Sequence, residues 1–278
     1  MRETVAVTNA RVFAIAGPAM LTNVTTPLLG VVATAAIGRL GQAPLLGGVA
    51  MASVVFDCLF WLFGFLRMGT VAFTAQAVGA GDAGEQRAVL ARALLVAAAI
   101  GLGIVALQAP AAAVIFAVMG GSDEVTEAAR QYFFVRAWSA PFALGNYVML
   151  GWLVGLARAR TALLVQIAIN VINMVAMVSL VLGVHLGITG AALASVIAEI
   201  SGLAIGLAVA WRIVGARFNL TWAAVFDRDR LRHMLAVIRS IMAWPMSANR
   251  SVAAMPNAKP QASTNFTARR NAFVSRAP

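Results

Sequence analysis

Read along the chain, apolar residues run in long blocks, and polar or charged residues collect in the gaps between them. No charged residue lies between Arg11 and Arg39. A helix rising 1.5 Å per residue needs about 20 residues to cross a bilayer core of ~30 Å, so this first run is long enough. Pro18 and Pro27 lie within it. Proline removes a backbone donor and bends a helix, and lipid tolerates the bend only where neighbours re-satisfy the freed carbonyls. The pattern predicts a bent first helix packed against others. Gly41-Gln42-Ala43-Pro44 reads as a turn before a second helix over about 45–78. A charged, glycine-rich loop over 79–87 precedes a third helix over 89–119. Gly120-Gly121-Ser122-Asp123 reads as a turn with a helix cap. A fourth helix follows over 132–156, a fifth over 163–182, a link at 183–190 and a sixth over 191–214.

Beyond the sixth run the character changes. Trp222, Val225 and Phe226 stand against Asp227, Arg228, Asp229 and Arg230, the pattern of an amphipathic surface helix over 218–237. From Ala243 onward, Pro245, Pro256 and Pro260 are scattered among Ser, Asn and Ala with no acidic residue. That composition predicts a disordered basic tail. The expected organisation is a six-helix transmembrane lobe at 1–217, a cytoplasmic connector at 218–242 and the tail at 243–278.

Composition agrees with a lipid solvent. The 278 residues are 61% hydrophobic and 11% charged, with a mean hydropathy of +0.86. A soluble domain carries about 25% charged residues. The net charge of +11 sits beside apolar runs and in the last fifth of the chain, as membrane topology demands, and does not signal a nucleic-acid partner. With the N-terminus inside, the inner loops hold Arg2, Arg11, Arg87, Arg92, Arg158, Arg160 and the arginines after the sixth helix. The outer loops hold Arg39, the acidic Asp123, Glu124 and Glu127, and the neutral link at 183–190. That is a positive-inside bias for a multi-pass protein of the inner membrane with both termini cytoplasmic. The single cysteine, Cys58, excludes a disulfide framework. With His185 and His233 as the only imidazoles, no metal site is expected. No His-Glu-x-x-His, Gly-x-Ser-x-Gly or phosphate-binding loop is present, so neither an enzyme nor a bound cofactor is expected.

Polar side chains at membrane depth are costly and mark function by default. Asp57 lies about 18 Å into the second helix, in a substrate- or proton-facing role or in a bond to a neighbouring helix. Glu199 lies mid-way along the sixth, sharing a face with Ser195, Gly202 and Gly206 that reads as a packing seam sooner than a substrate wall. Gln166, Asn170, Asn173 and Met177 form one stripe on the fifth helix and predict a polar cavity lining. Asn23, Thr26, Gly30 and Ala33 make a weaker stripe on the first. Arg67 lies near the inner boundary, where it can snorkel. Trp61, Trp138 and Trp152 read as packing or interface anchors.

Several motifs in order resemble the multidrug and toxin extrusion (MATE) family, in its DinF-like branch. They are Pro18 with Thr26-Pro27-Leu28-Leu29-Gly30, Gly38-x-x-Gly41, and Phe63-Gly64-Phe65-Leu66-Arg67-Met68-Gly69-Thr70 with Ala75-Gln76-Ala77. Tyr132 with Arg136, Gly151-Trp152-Leu153-Val154-Gly155, Asn170-x-x-Asn173 and Gly187-x-x-Gly190 follow. The block around Arg67 and Gly69 is the most specific. The resemblance covers roughly 9–240 and implies an all-α integral membrane fold, one lobe of a two-lobed MOP-type transporter. It further implies a secondary antiporter that exports cationic or amphipathic small molecules in exchange for H⁺ or Na⁺. Two positions depart from the family: Ala33 and Met177 stand where relatives often have aspartates, which leaves Asp57 and Glu199 as the carboxylates at depth.

Three functions follow as expectations. One is an antiporter, a truncated or frameshifted half in which two copies pair as a homodimer. The others are a non-transporting membrane relic or scaffold, and a flippase for lipids or lipid-linked precursors, which calls for a more basic cavity than Arg67 and Arg136 offer.

Overall fold

The computed structural model describes residues 28–215. The chain divides into two units, Met1–Met234 and Leu235–Pro278, and the described residues lie in the first. Pro18, Asn23, Thr26, Pro27, the amphipathic segment and the basic tail lie outside them.

Among the described residues all regular structure is helical. The elements are α1 (Leu28–Gly38), α2 (Ala43–Leu62), α3 (Gly64–Gly79), α4 (Ala83–Ala106), α5 (Gln108–Met119), α6 (Asp123–Ala137), α7 (Ala140–Gly155), α8 (Ala159–Val178) with a π turn (Ser179–Gly183), and α9 (Gly187–Val214). These group into the six predicted arms: α1, α2 with α3, α4 with α5, α6 with α7, α8 with its π turn, and α9. Ala43–Gly79, Ala83–Ala106, Ala159–Gly183 and Gly187–Val214 are each long and apolar enough to cross a membrane.

Three arms predicted as continuous helices are interrupted, and two of the breaks have a proline as cause. A proline ring clashes with the carbonyl four residues earlier. Pro110 therefore ends α4 at Ala106, and Pro141 ends α6 at Ala137. The third break falls at Phe63 (φ −90°, ψ 8°), just before Gly64. Element ends also differ from the sequence reading. α4 begins six residues earlier than expected, because the Asp82 carboxylate accepts from the Glu85 N–H at 2.9 Å and caps it. This brings Arg92 out of the predicted inner-loop set. It lies well inside α4, buried, paired with Glu85 and donating from Nε to the Ala88 carbonyl at 3.1 Å. α6 likewise starts at Asp123, behind a Ser122 cap. The link before α9 shrinks to 184–186.

Close helix approach is built on glycine, as expected where lipid supplies no hydrophobic drive between helices. A Cβ on Gly48 of α2 would sit 2.6 Å from the Ala128 Cβ of α6. On Gly151 and Gly155 of α7 it would sit 2.6 Å from the Arg67 carbonyl oxygen and from the Thr74 Cβ of α3. The Phe-Leu-Arg-Met-Gly-Thr block is thus the strip of α3 against which α7 is pressed. α7 is the most buried helix and packs against α3, α4, α8 and α9. Its Trp152 is 1% exposed and donates from Nε1 to the Gln86 carbonyl at 2.8 Å. Trp61 and Trp138, in contrast, face outward at 82% and 59% exposure, as do Val31, Val118 and Leu164. Large apolar side chains over the outer surface suit acyl chains.

Candidate functional site

Inside this bundle lies a cavity of about 280 Å³, lined from α1, α2, α6, α8, α9 and the α6–α7 break. Its polar lining gathers residues far apart in sequence. Asp57 and Ser53 come from α2, Tyr132 and Arg136 from α6, and Ser139 from the break made by Pro141. Gln166, Asn170 and Asn173 come from α8, Ser195 and Glu199 from α9.

Depth explains the convergence. The α1–α2, α5–α6 and α8–α9 connections share one side of the bundle if every arm crosses. Counting 1.5 Å per residue from that side, Asp57 and Arg136 lie about 20 Å in, Asn170 about 20 Å and Glu199 about 18 Å. Four polar groups from four helices meet at one level, near the middle of a ~30 Å core.

The amide stripe on α8 lines this space. Gln166 Nε2 donates to Asn170 Oδ1 at 3.2 Å, and Asn173 Nδ2 points to Ser195 Oγ at 3.5 Å. Met177 lines the same wall. From the first-helix stripe, Gly30 and Ala33 line the cavity; Asn23 falls outside the described residues. The Glu199 face does two jobs. Ser195 and Glu199 line the cavity, while Gly202 and Gly206 press on Ile169 and Met149. Arg67 is exposed on α3 and is not part of the lining, and Gly69 is a buried position of α3.

Arg136 is the cation of the site. Its Nη1 donates to the Tyr132 hydroxyl at 2.7 Å. Its guanidinium lies over the Phe56 ring at 4.8 Å and the Tyr132 ring at 5.6 Å, both within cation–π range. Phe56 in turn stacks on Phe133 at 5.3 Å, which meets Phe116 edge-on at 5.7 Å. Among the described residues Arg136 forms no ion pair with Asp57 or Glu199. The cavity therefore holds two carboxylates and one guanidinium in reach of a common space, with a net charge of −1 when all are ionised. Oxygen and amide groups over an apolar wall suit a small organic cation or a bare cation.

Sequence reasoning missed Ser53, Ser139 and Asn146, and met Arg136 only through a motif. Asn146 had a readable signal: it is the one amide in the apolar run of α7. It is 2% exposed and donates from Nδ2 to the Glu199 backbone carbonyl at 2.9 Å and to Glu199 Oε2 at 2.7 Å.

The MatE family model matches residues 18–179. The chain belongs to the MatE family. DNA damage-inducible protein F of Escherichia coli (strain K12) is 40% identical over 231 residues, covering 81% of this chain and 49% of that protein. The probable multidrug resistance protein NorM of Caulobacter vibrioides is 33% identical over 199 residues, covering 70% of this chain and 42% of that one. A solved MOP superfamily transporter from Pyrococcus furiosus superposes with a TM-score of 0.73 at 22% identity, over 86% of this chain and 53% of that chain. A MATE structure in its straight conformation gives 0.71 at 23% identity. At such identities the superpositions show the fold alone. This MatE chain spans about half the length of the curated relatives it matches. It is a multi-pass membrane protein, helical in all regular structure among the described residues, that corresponds to the N-terminal half of a MATE transporter, of the DinF-like kind the motifs implied.

Proposed function

We propose that this MatE chain forms the N-terminal lobe of a secondary antiporter that moves cationic or amphipathic small molecules across the inner membrane against H⁺ or Na⁺. The observation that carries the reading is the gathering of Asp57, Arg136, Asn170 and Glu199 from four helices around one cavity. The cavity's net negative charge favours a cation, and its apolar wall favours an organic one. The lobe spans 1–217, followed by a connector at 218–242 and a basic tail at 243–278, with both termini cytoplasmic. Two copies paired in parallel supply two such lobes, for which two termini on one side are the right geometry.

A flippase for lipids or lipid-linked precursors fits the cavity less well. The headgroup of such a lipid calls for several cations, and Arg136 is the one arginine among the described residues of the lining. A scaffold role leaves the costly carboxylates at depth without a use.

The test is counterflow. The full chain is reconstituted into vesicles preloaded with a cationic dye, and efflux is followed under an inward proton or sodium gradient. Gradient-driven efflux supports the reading; stable insertion with no flux under either gradient refutes it. A reporter fused after Gly121 tests topology separately, and a cytoplasmic signal there overturns the orientation.

A further inference from the structure

The contact between Asn146 and Glu199 says more than that two helices touch. The Glu199 backbone oxygen can only accept a hydrogen bond. The amide atom 2.9 Å from it must therefore be the nitrogen, which fixes the orientation of the amide. That same nitrogen lies 2.7 Å from Glu199 Oε2. Both hydrogens of the amide are committed to one residue, main chain and side chain together. Asn146 Oδ1 is left buried with no hydrogen-bond partner among the described residues. Gly202, three residues on, keeps room for the clamp: a Cβ there would lie 3.1 Å from Asn146 Nδ2 and 2.4 Å from Ile169 Cγ1.

The clamp decides which cation Glu199 can take. A sodium ion needs a shell of oxygen ligands. Beside Glu199 the nearest amide offers an N–H, the wrong sign for a metal ion, and it already caps Oε2. The other oxygen, Oε1, has no hydrogen-bond partner among the described residues, and Glu199 lines the cavity. One capped oxygen and one open oxygen on a pinned carboxylate make a site for a single proton.

The geometry points to Glu199 Oε1 as the proton-carrying atom of this lobe, with Asn146 as its positioning residue and H⁺ as the coupling ion. This rests on the antiporter reading and deepens it. Among the described residues the charged and titratable groups around Glu199 are Asp57 of α2, Tyr132 and Arg136 of α6 and Tyr147 of α7. α8 presents only the amides Gln166, Asn170 and Asn173, and described α1 has no titratable side chain. With Glu199 ionised the cavity carries −1 and holds a cation. With a proton taken from water on one side and bound at Oε1, the cavity is neutral and the cation is released. The proton then leaves to water on the other side. Proton and substrate cation compete for one charge, which is the exchange an antiporter needs.

The test reads the carboxyl directly. Infrared difference spectra of the full chain in lipid, between acidic and alkaline buffer, report a protonated carboxyl stretch. The expected result is a band that appears on acidification, vanishes in Glu199→Gln and persists in Asp57→Asn. Glu199→Gln keeps an acceptor for Asn146, so the fold is retained. Asn146→Leu removes the N–H that caps Oε2 and favours the ionised form, so the midpoint of the band moves toward alkaline pH, which a merely structural residue would not do. A band that survives Glu199→Gln, that depends on Asp57 instead, that is absent from the parent chain, or that sodium abolishes at constant pH overturns the proposal. The spectra need no flux. A titrating Glu199 in vesicles that never transport would sink the antiporter reading alone, and flux without the band would sink this one.

Discussion

Gly101 offers the sharpest test of how tightly the arms pack. It lies on α4 against the start of α7. A Cβ added there would sit 2.3 Å from the Pro141 Cα, 2.6 Å from its nitrogen and 3.0 Å from its Cβ. Ordinary carbon contacts lie at about 3.5–4.0 Å, so Gly101→Ala forces α4 and α7 apart by more than about 1 Å. The obstacle is backbone, and at a proline whose φ cannot turn. Overpacking a tight interior costs about 1–3 kcal/mol, and a rigid obstacle puts this case near 3. Alanine recovers about 1 kcal/mol of helix propensity. The net loss is about 2 kcal/mol, a factor of roughly 30 in the folded-to-unfolded ratio. Gly103 is the internal control: on the same helix, a Cβ there meets nothing within 4 Å. Gly103→Ala keeps only the propensity gain, about 1 kcal/mol of added stability. Reversible unfolding of both variants in bicelles should separate them by about 3 kcal/mol. Equal stabilities, or a Gly101→Ala variant more stable than its parent, would refute the α4–α7 approach.

Three further outcomes follow. Glu85→Ala strands the Arg92 guanidinium, 4% exposed at its side chain, and should cost roughly 3 kcal/mol, whereas Arg92→Leu removes the charge and should cost much less; thermal unfolding in detergent ranks them, and the reverse order counts against a buried pair. Asp57→Asn deletes a cavity charge worth about 1.7 kcal/mol to a cation about 10 Å away at an effective dielectric of about 20. Affinity for a cationic dye should fall roughly twentyfold, read by fluorescence titration, while outward-facing Trp61→Ala leaves it unchanged. Trp152→Phe loses the bond to the Gln86 carbonyl and should cost about 1 kcal/mol, measured by the same unfolding assay; no loss would mean the α4–α7 tie is idle.

Much of the cavity could be read from the chain, and each miss has a physical cause. The stripe of Gln166, Asn170 and Asn173 is a one-helix property, encoded in spacing, and all three residues line the cavity. Asp57 and Glu199 were conspicuous because a carboxylate in an apolar run has few explanations. Asn146 was overlooked because a lone amide in such a run has many. The breaks at Pro110 and Pro141 are legible, since the clash with the carbonyl four residues back is local. Arg92 was assigned to a loop because the Asp82 cap, which extends α4 by nearly two turns, was not recognised.

By itself, the sequence determined the six apolar arms, the depth of Asp57 and Glu199 within them, and the family. All of these follow from the length and periodicity of apolar runs and from local motifs, which are one-dimensional signals. Only the tertiary structure decided that Arg136 rests on Phe56 and Tyr132, that Ser139 enters the cavity, that Arg67 stays out of it, and that Asn146 grips Glu199. Each of these depends on how one helix is rotated against another. That rotation is set by glycine contacts and by the choice of hydrogen-bond partner across helices, and neither is written in the pattern of any single helix.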